Sequence, residues 1–227
     1  MDVPGRQFGP WRTRVGELLR SHQLSEWSEV PPQRVVNPLL SFLYSADEEV
    51  KWRAVTAVGI VVARIAEQDL EAARTIMRRL IWSLNDESGG IGWGAAEAMG
   101  EIMARQERLA EEYYRILVSY IREDGNPLEN ESLETGVLWG IGRLAQARPE
   151  LLPHAACYLM PYLKSKDPKQ RGLAAWALGA LGQILPAATL ESLLEDPFEI
   201  AIYAQEDFHR YRISELAARL IAHRDGS

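Results

Sequence analysis

One segment recurs four times along the chain without a gap: Val50-Lys-Trp-Arg-Ala-Val-Thr-Ala-Val-Gly59, Ile91-Gly-Trp-Gly-Ala-Ala-Glu-Ala-Met-Gly100, Leu133-Glu-Thr-Gly-Val-Leu-Trp-Gly-Ile-Gly142 and Gln170-Arg-Gly-Leu-Ala-Ala-Trp-Ala-Leu-Gly179. The closing glycines fall 41, 42 and 37 residues apart. A period near forty with helical composition is that of a helix-pair solenoid, whose units bury their apolar faces only against one another. The expected fold is therefore all-α: a right-handed superhelical α-solenoid of about five helix pairs. No apolar run alternates for long with period two, so ten to twelve helices and no sheet are expected.

Within that frame residues 1–32, with Trp11, Trp27 and Pro31-Pro32, read as an N-terminal cap holding one helix around Arg12–Ser21. Residues 33–227 read as the array, with repeats at about 33–66, 69–106, 108–147, 150–185 and 187–223. The first helices of the pairs (A helices) are expected at Gln33–Tyr44, Leu70–Leu84, Leu109–Ile121 and Glu150–Leu163, where large apolar residues and charges share helical spacing. Breakers mark the turns, and Asp47, Asp86 and Asp167 stand where a carboxylate would cap the following B helix. The fifth unit, a short helix at Ala188–Leu194 and a B-like segment at Tyr211–Ala222, lacks the glycine, as a terminal repeat facing water often does.

Asp47-Glu-Glu-Val-Lys-Trp-Arg-Ala-Val-Thr-Ala-Val-Gly59 and Asp167-Pro-Lys-Gln-Arg-Gly-Leu-Ala-Ala-Trp-Ala-Leu-Gly179 resemble HEAT-like repeats. These have an acidic turn, a basic residue early in helix B and an Ala-rich stretch ending Ala-Leu-Gly. Lys51 and Arg171 match the basic position, whereas Gly92 and Glu134 depart from it, which puts the family's ladder of Asp–Arg pairs in doubt in the middle repeats. The resemblance extends over about four-fifths of the chain. The whole sequence is also similar to an uncharacterised bacterial HEAT-repeat group. The resemblance implies a scaffold or adaptor, binding before catalysis, by analogy of fold.

Projection at about 100° per residue separates two faces of each B helix. In the first, Val50, Ala54, Ala57, Val58, Val61 and Ile65 form the core face, opposite Trp52, Thr56, Gly59 and Ala63. The equivalent strips are Trp93, Glu97, Gly100, Ala104; Thr135, Trp139, Gly142, Gln146; and Gly172, Trp176, Gly179, Gln183. The HEAT resemblance places these strips on the concave side. Four of the seven tryptophans lie on them among small residues, and Tyr211 and Glu215 continue the row. Two readings stand side by side: an aromatic floor suited to an apolar anchor of a partner, and a crowded interface in which each Trp fills the gap beside a neighbour's glycine. Trp82 and Trp27 lie off the strip and read as core or cap.

Candidate chemistry is sparse. Ser88-Gly-Gly-Ile-Gly-Trp-Gly94 is the most glycine-dense stretch, but no strand precedes it and no Gly-Lys-Ser/Thr follows, so it meets neither nucleotide motif. Glu97, Glu101, Arg143 and Arg53 lie near the groove, and Glu101 and Arg143 are candidates for an ion pair between repeats. His22, His154, His209 and His223 are scattered, without His-Glu dyads, and no metal site or cofactor is expected. Cys157, the only cysteine, reads as a small buried residue and excludes an intramolecular disulfide. No Ser/His/Asp or Cys/His grouping is visible, and no catalytic residue is assigned. The net charge of −7 disfavours nucleic acid, most strongly at Gly172–Phe208, which holds six acids and no Lys or Arg. The start, Met1-Asp-Val-Pro-Gly-Arg, has no apolar signal core and no run reaches membrane-spanning length, so a cytoplasmic protein is expected.

The leading expectation is a non-catalytic scaffold that binds a protein or peptide in a Trp-lined concave groove, with Trp52, Trp93, Glu97, Glu101, Trp139, Arg143, Trp176 and Tyr211 as binding residues. A DNA-glycosylase-like HEAT enzyme, with Trp139, Trp176 and Glu97 around a nucleotide, and a bilin-lyase-like chromophore-binding protein are the alternatives. Under either reading of the strip, Gly100→Leu and Gly142→Leu lower the melting temperature or abolish partner binding. Two variants that melt and bind as wild type would remove the assignment.

Overall fold

The computed structural model describes residues 8–21, 24–86 and 92–222. Eleven α-helices and one β-hairpin are present among them. The chain folds as two compact units, Met1–Leu109 and Ala110–Ser227.

The first unit holds α1 (Phe8–Ser21), α2 (Pro32–Phe42), α3 (Glu48–Gln68), α4 (Leu70–Leu84) and α5 (Ala95–Arg105). A 3-10 turn at Leu24–Ser28 buries Trp27 in the core. Asp47 begins α3 as expected, its carboxylate accepting from the Val50 amide, and Asp69 caps α4 through the Ala72 amide. Both occupy orphan donors of a first turn, and their charge suits the positive helix end. The core positions read from the first repeat, Val50, Ala54, Ala57, Val58, Val61 and Ile65, are all buried. Asp86 does not cap α5. The capping position belongs to Gly94, in the left-handed region at φ 74°, where a Cβ would meet the Cβ and carbonyl oxygen of Leu43 at 2.9 Å. Glycine alone satisfies both conditions there.

Helix α6 (Glu107–Ser119) runs from the first unit into the second, which continues with α7 (Glu131–Ala147), α8 (Ala155–Leu159), α9 (Pro168–Ala180), α10 (Ala187–Leu194), β1 (Glu199–Ala204), β2 (Asp207–Arg212) and α11 (Ile213–Ala222). Asn130 caps α7 through the Ser132 and Leu133 amides, and Asp167 caps α9 through the Lys169 amide. The helix expected at Glu150–Leu163 is broken into a 3-10 turn at Pro149–Leu151, α8, and a 3-10 turn at Met160–Lys164. Pro153 and Pro161 explain the break, since each removes an amide donor and clashes with the preceding turn of an α-helix, whereas Pro149 opens the first 3-10 turn. Cys157 is exposed, not buried, because this shortened helix presents it outward.

The hairpin corrects the expectation of no sheet. Glu199-Ile-Ala-Ile-Tyr-Ala204, which alternates only over Glu199–Ile202, pairs antiparallel with Asp207–Arg212, from Glu199 opposite Arg212 to Ala204 opposite Asp207. Its signal is weak because the two-residue turn is Gln205-Glu206, without the glycine that usually marks such a turn. Both residues take positive φ, 51° and 71°. The segment expected as helix at Tyr211–Ala222 therefore gives Tyr211 and Arg212 to β2, and α11 starts at Ile213, whose amide donates to the Phe198 carbonyl at 3.0 Å.

Replacing Gln205-Glu206 by Asn-Gly relieves two left-handed residues that carry a Cβ. The double variant is expected to gain about 1 kcal/mol and about 2–4 °C in melting temperature. A lower melting temperature in a thermal scan would contradict the turn geometry.

Candidate functional site

In the first unit, α3 and α5 pack side by side. The strip facing away from the core of α3 is not open. Trp52 is 5% exposed and Thr56 is 4% exposed, because α2, α4 and α5 surround the helix. Lys51 lies 5.2 Å from the Trp52 ring centroid and donates from Nζ to Glu97 Oε1 at 2.8 Å. One turn further along α5, Glu101 Oε1 accepts from Arg105 Nε at 2.6 Å. Both carboxylates are buried. The side chain of Glu101 occupies the space that a Cβ on Gly59 would fill, 2.5 Å from Glu101 Cγ, with Arg105 alongside. Like charges four residues apart on a helix repel, and burial penalises each ion. A separate cation for each carboxylate offsets both costs.

Trp93 behaves differently. It stands in the turn before Gly94, not in helix B, which starts at Ala95, and it is 53% exposed. The glycine-dense stretch at Ser88–Gly94 lies largely outside the described residues. Trp82, expected in core or cap, is exposed on α4.

In the second unit, the chain's own hairpin covers Trp139 on α7 and Gly172 on α9, while Thr135 and Trp176 are half-buried and Gln146 is exposed. Trp139 is 3% exposed and donates from Nε1 to the Tyr203 carbonyl at 2.9 Å. Its ring stacks on Trp176 with centroids 6.4 Å apart and planes 29° apart. The Trp176 ring lies where a Gly142 Cβ would be, and Ile200 fills the place of a Cβ on Gly172. The four tryptophans therefore do not make one exposed aromatic strip, since Trp52 and Trp139 are packed by adjacent elements. Tyr211 lies on β2, not on a helix, stacked against His209 at 6.3 Å and beneath Arg219 at 4.6 Å. Arg143 is half-buried on α7, and Glu101 forms an ion pair with Arg105 on its own helix.

The edges of the hairpin are engaged as well. The Tyr203 carbonyl on the outer edge of β1 meets Trp139. On β2 the Phe208 amide donates to Asp207 Oδ1 at 2.7 Å and the Arg212 amide to Glu215 Oε2 at 3.1 Å. Side chains thus occupy ladder groups that would otherwise recruit another strand.

Sequence reasoning missed a polar cluster at the mouth of α9. Glu134, noted only for departing from the basic pattern, accepts from the Tyr162 hydroxyl through Oε1 and from Gln170 Nε2 through Oε2 at 2.9 Å. Gln170 Oε1 accepts from Ser165 Oγ at 2.6 Å. Burial pushes the Tyr162 hydroxyl well above its ordinary range, and the hydrogen bond to the Glu134 carboxylate and its charge add to the rise. Arg171 at the aligned position pairs with Asp196 at 2.7 Å, also donates to the Ser165 and Lys166 carbonyls, and lies 5.4 Å over Phe198. Among the described residues no group of three or more His, Cys, Asp or Glu is placed to hold a metal ion, and no helix is long and apolar enough to cross a membrane.

Comparison with known proteins agrees with this architecture. Residues 132–181, from α7 through α9, match the model of the HEAT-like repeat. An uncharacterized protein of Archaeoglobus fulgidus is 31% identical over 116 residues, which are 51% of this chain; the chain spans 57% of that relative. Among solved structures, a designed armadillo repeat protein in complex with the peptide (KR)4 superposes with a TM-score of 0.58 at 17% identity, covering 93% of this chain and 90% of that one. Computationally designed armadillo repeat proteins for modular peptide recognition give 0.55 at 17% identity, covering 96% and 97%. An engineered protein gives 0.56 at 15% identity, covering 94% and 90%. The fold is that of the helical-repeat solenoid proteins, armadillo- and HEAT-like. Its segment 132–181 is a HEAT-like repeat.

Trp139→Phe keeps an aromatic side chain but removes the indole donor to the Tyr203 carbonyl and leaves a small cavity. A loss of about 1–3 kcal/mol is expected by urea denaturation, because a buried acceptor is left unmet. A loss below roughly 0.5 kcal/mol would show that the hairpin does not depend on this bond.

Proposed function

We propose that the chain is a non-catalytic scaffold that binds a protein or peptide segment, with Trp93 as its principal anchor. The observation that carries this reading is the exposure of Trp93 on a glycine-fixed turn, while Trp52 at the aligned position, and Trp139 four positions later in its own repeat, are packed away. A large, rigid aromatic held outward suits the centre of an interface. The acidic side chains closest to it along α5, Glu97 and Glu101, are engaged by Lys51 and Arg105, so the floor they form is electrically balanced. The designed armadillo neighbours that recognise peptides support the class of partner.

The glycosylase-like alternative is weakened at each residue it needs. Trp139 is covered by the hairpin, Trp176 stacks on it, and Glu97 is held by Lys51. A chromophore between the same tryptophans meets the same cover. We place the scaffold in the cytoplasm, with no cofactor, no membrane contact and no nucleic-acid partner; the net charge of −7 supports the last point.

Selection of phage-displayed peptides on the wild-type protein, followed by titration of the winners, tests the reading. Trp93→Ala is expected to weaken them about thirtyfold, the size of a hot-spot loss, and Trp139→Phe to leave them within about threefold if the protein stays folded. Peptides indifferent to Trp93→Ala would defeat it.

A further inference from the structure

The first unit carries an electropositive and aromatic surface on its A helices, which the Trp93 reading does not use. Helix α2 contains Arg34 and no acid, and α4 contains Arg74, Arg78 and Arg79 against Glu71 alone. In a chain of net charge −7 this is a local inversion of sign. The arginines divide by partner. Arg74 and Arg78 both bind Glu71, at 3.4 and 2.6 Å.

Among the described residues, Arg12, Arg34 and Arg79 are instead set against neutral groups. Arg12 donates to Ser41 Oγ at 2.9 Å and lies 5.5 Å from the Phe42 ring centroid. Arg34 lies 5.9 Å over Trp11. Arg79 donates to Asn37 Oδ1 at 2.8 Å.

These contacts orient the guanidiniums without neutralising them, and all three arginines are exposed. A planar guanidinium that is positioned but not ion-paired is suited to a carboxylate. Two exposed aromatics complete the surface. Tyr44 lies close enough to Arg79 that the arginine's charge opposes the rise that burial imposes on its hydroxyl. Trp82, 63% exposed, lies one turn beyond Arg78 and Arg79 on α4. Asn37 and Ser41 lie one turn apart on α2, so they present their partners along one line, and Tyr44 follows two residues past the end of the helix.

We propose that this face, Arg12, Arg34 and Arg79 with Tyr44 and Trp82, docks an acidic segment of a partner protein that carries an apolar residue between its carboxylates. It rests on the scaffold reading for the kind of partner but not on Trp93. A peptide fits better than nucleic acid, because a duplex is held by many phosphate contacts and long-range attraction, which three arginines on an acidic protein do not supply. Carboxylates give orientation and an ionic-strength-dependent on-rate, and the aromatics give the apolar contact.

The probe is a fluorescein-labelled pool of short peptides randomised over Glu, Asp, Leu and Phe, compared by anisotropy with a pool randomised over Lys, Arg, Leu and Phe. Saturable binding of the acidic pool, weakened by salt, is expected. Arg79→Gln, Arg12→Gln and Trp82→Ala should each lower affinity about tenfold. All three are surface changes, and the two arginine variants sit on different helices, so one remains informative if the other lowers the melting temperature. Absence of saturable binding, equal binding of the cationic pool, or tighter binding of single-stranded DNA or phosphatidylserine vesicles overturns the proposal. A loss with Trp93→Ala but not with Arg79→Gln overturns it too, by moving acid recognition to the B-helix side while leaving the scaffold reading intact.

Discussion

Consecutive elements of this protein interlock where a glycine lacks a side chain and a neighbour supplies one. Glu101 fills the space beside Gly59, Trp176 that beside Gly142, and Ile200 that beside Gly172. Protein interiors are packed as densely as organic crystals, so an added Cβ at these points has nowhere to go, and overpacking of this kind costs about 1–3 kcal/mol. The repeated glycine is therefore a packing device that brings one B helix close to the next element. Where the array ends the device relaxes: a Cβ on Gly179 would meet only Leu220, at 3.7 Å, an ordinary contact.

Charge follows the same repeat logic. Lys51 and Arg171, at the aligned position near the start of a B helix, each reach an acid on a later element, Glu97 on α5 and Asp196 in the segment leading to β1. The third repeat keeps the position polar but reverses the sign. Glu134 accepts from Tyr162 and Gln170, neutral donors that satisfy its oxygens without a counter-ion. One geometric task, tying a helix start to an adjacent element, is met by two chemistries. Buried carboxylates such as Glu97 and Glu101 are tolerated because each is paired, and removing the partner would leave an uncompensated charge.

The hairpin decides which surfaces remain. By covering Trp139 and packing Ile200 against Gly172 of α9, it occupies part of the B-helix face of the second unit. Its outer groups are in turn engaged by Trp139, Asp207 and Glu215. Among the described residues of the first unit the exposed large apolar side chains are Tyr44, Trp82 and Trp93, and two of these border arginines with neutral partners. Recognition in the readings proposed above is thus concentrated on the first unit.

The repeat period, the core face of α3, the caps Asp47 and Asp167, and the limits of α4 are legible in the sequence because each depends on local spacing and local chemistry. A periodic apolar face, a carboxylate before a helix, or a breaker after one acts within a few residues. The broken helix at Pro149–Lys164 is legible in the same way, in Pro153 and Pro161, against an apolar pattern that suggests a continuous helix. What the helical projection could not supply is what lies opposite the core. It distinguishes two faces of a B helix and says nothing of whether the second face meets water or another element. Trp52 shares its repeat register with Trp93, yet adjoining helices bury it, and Trp139 on the same projected strip is buried by a hairpin more than sixty residues away. Burial is a property of the assembled neighbours. The exposure of Trp93 and the placing of Arg12, Arg34 and Arg79 beside neutral groups were decided only when the helices packed.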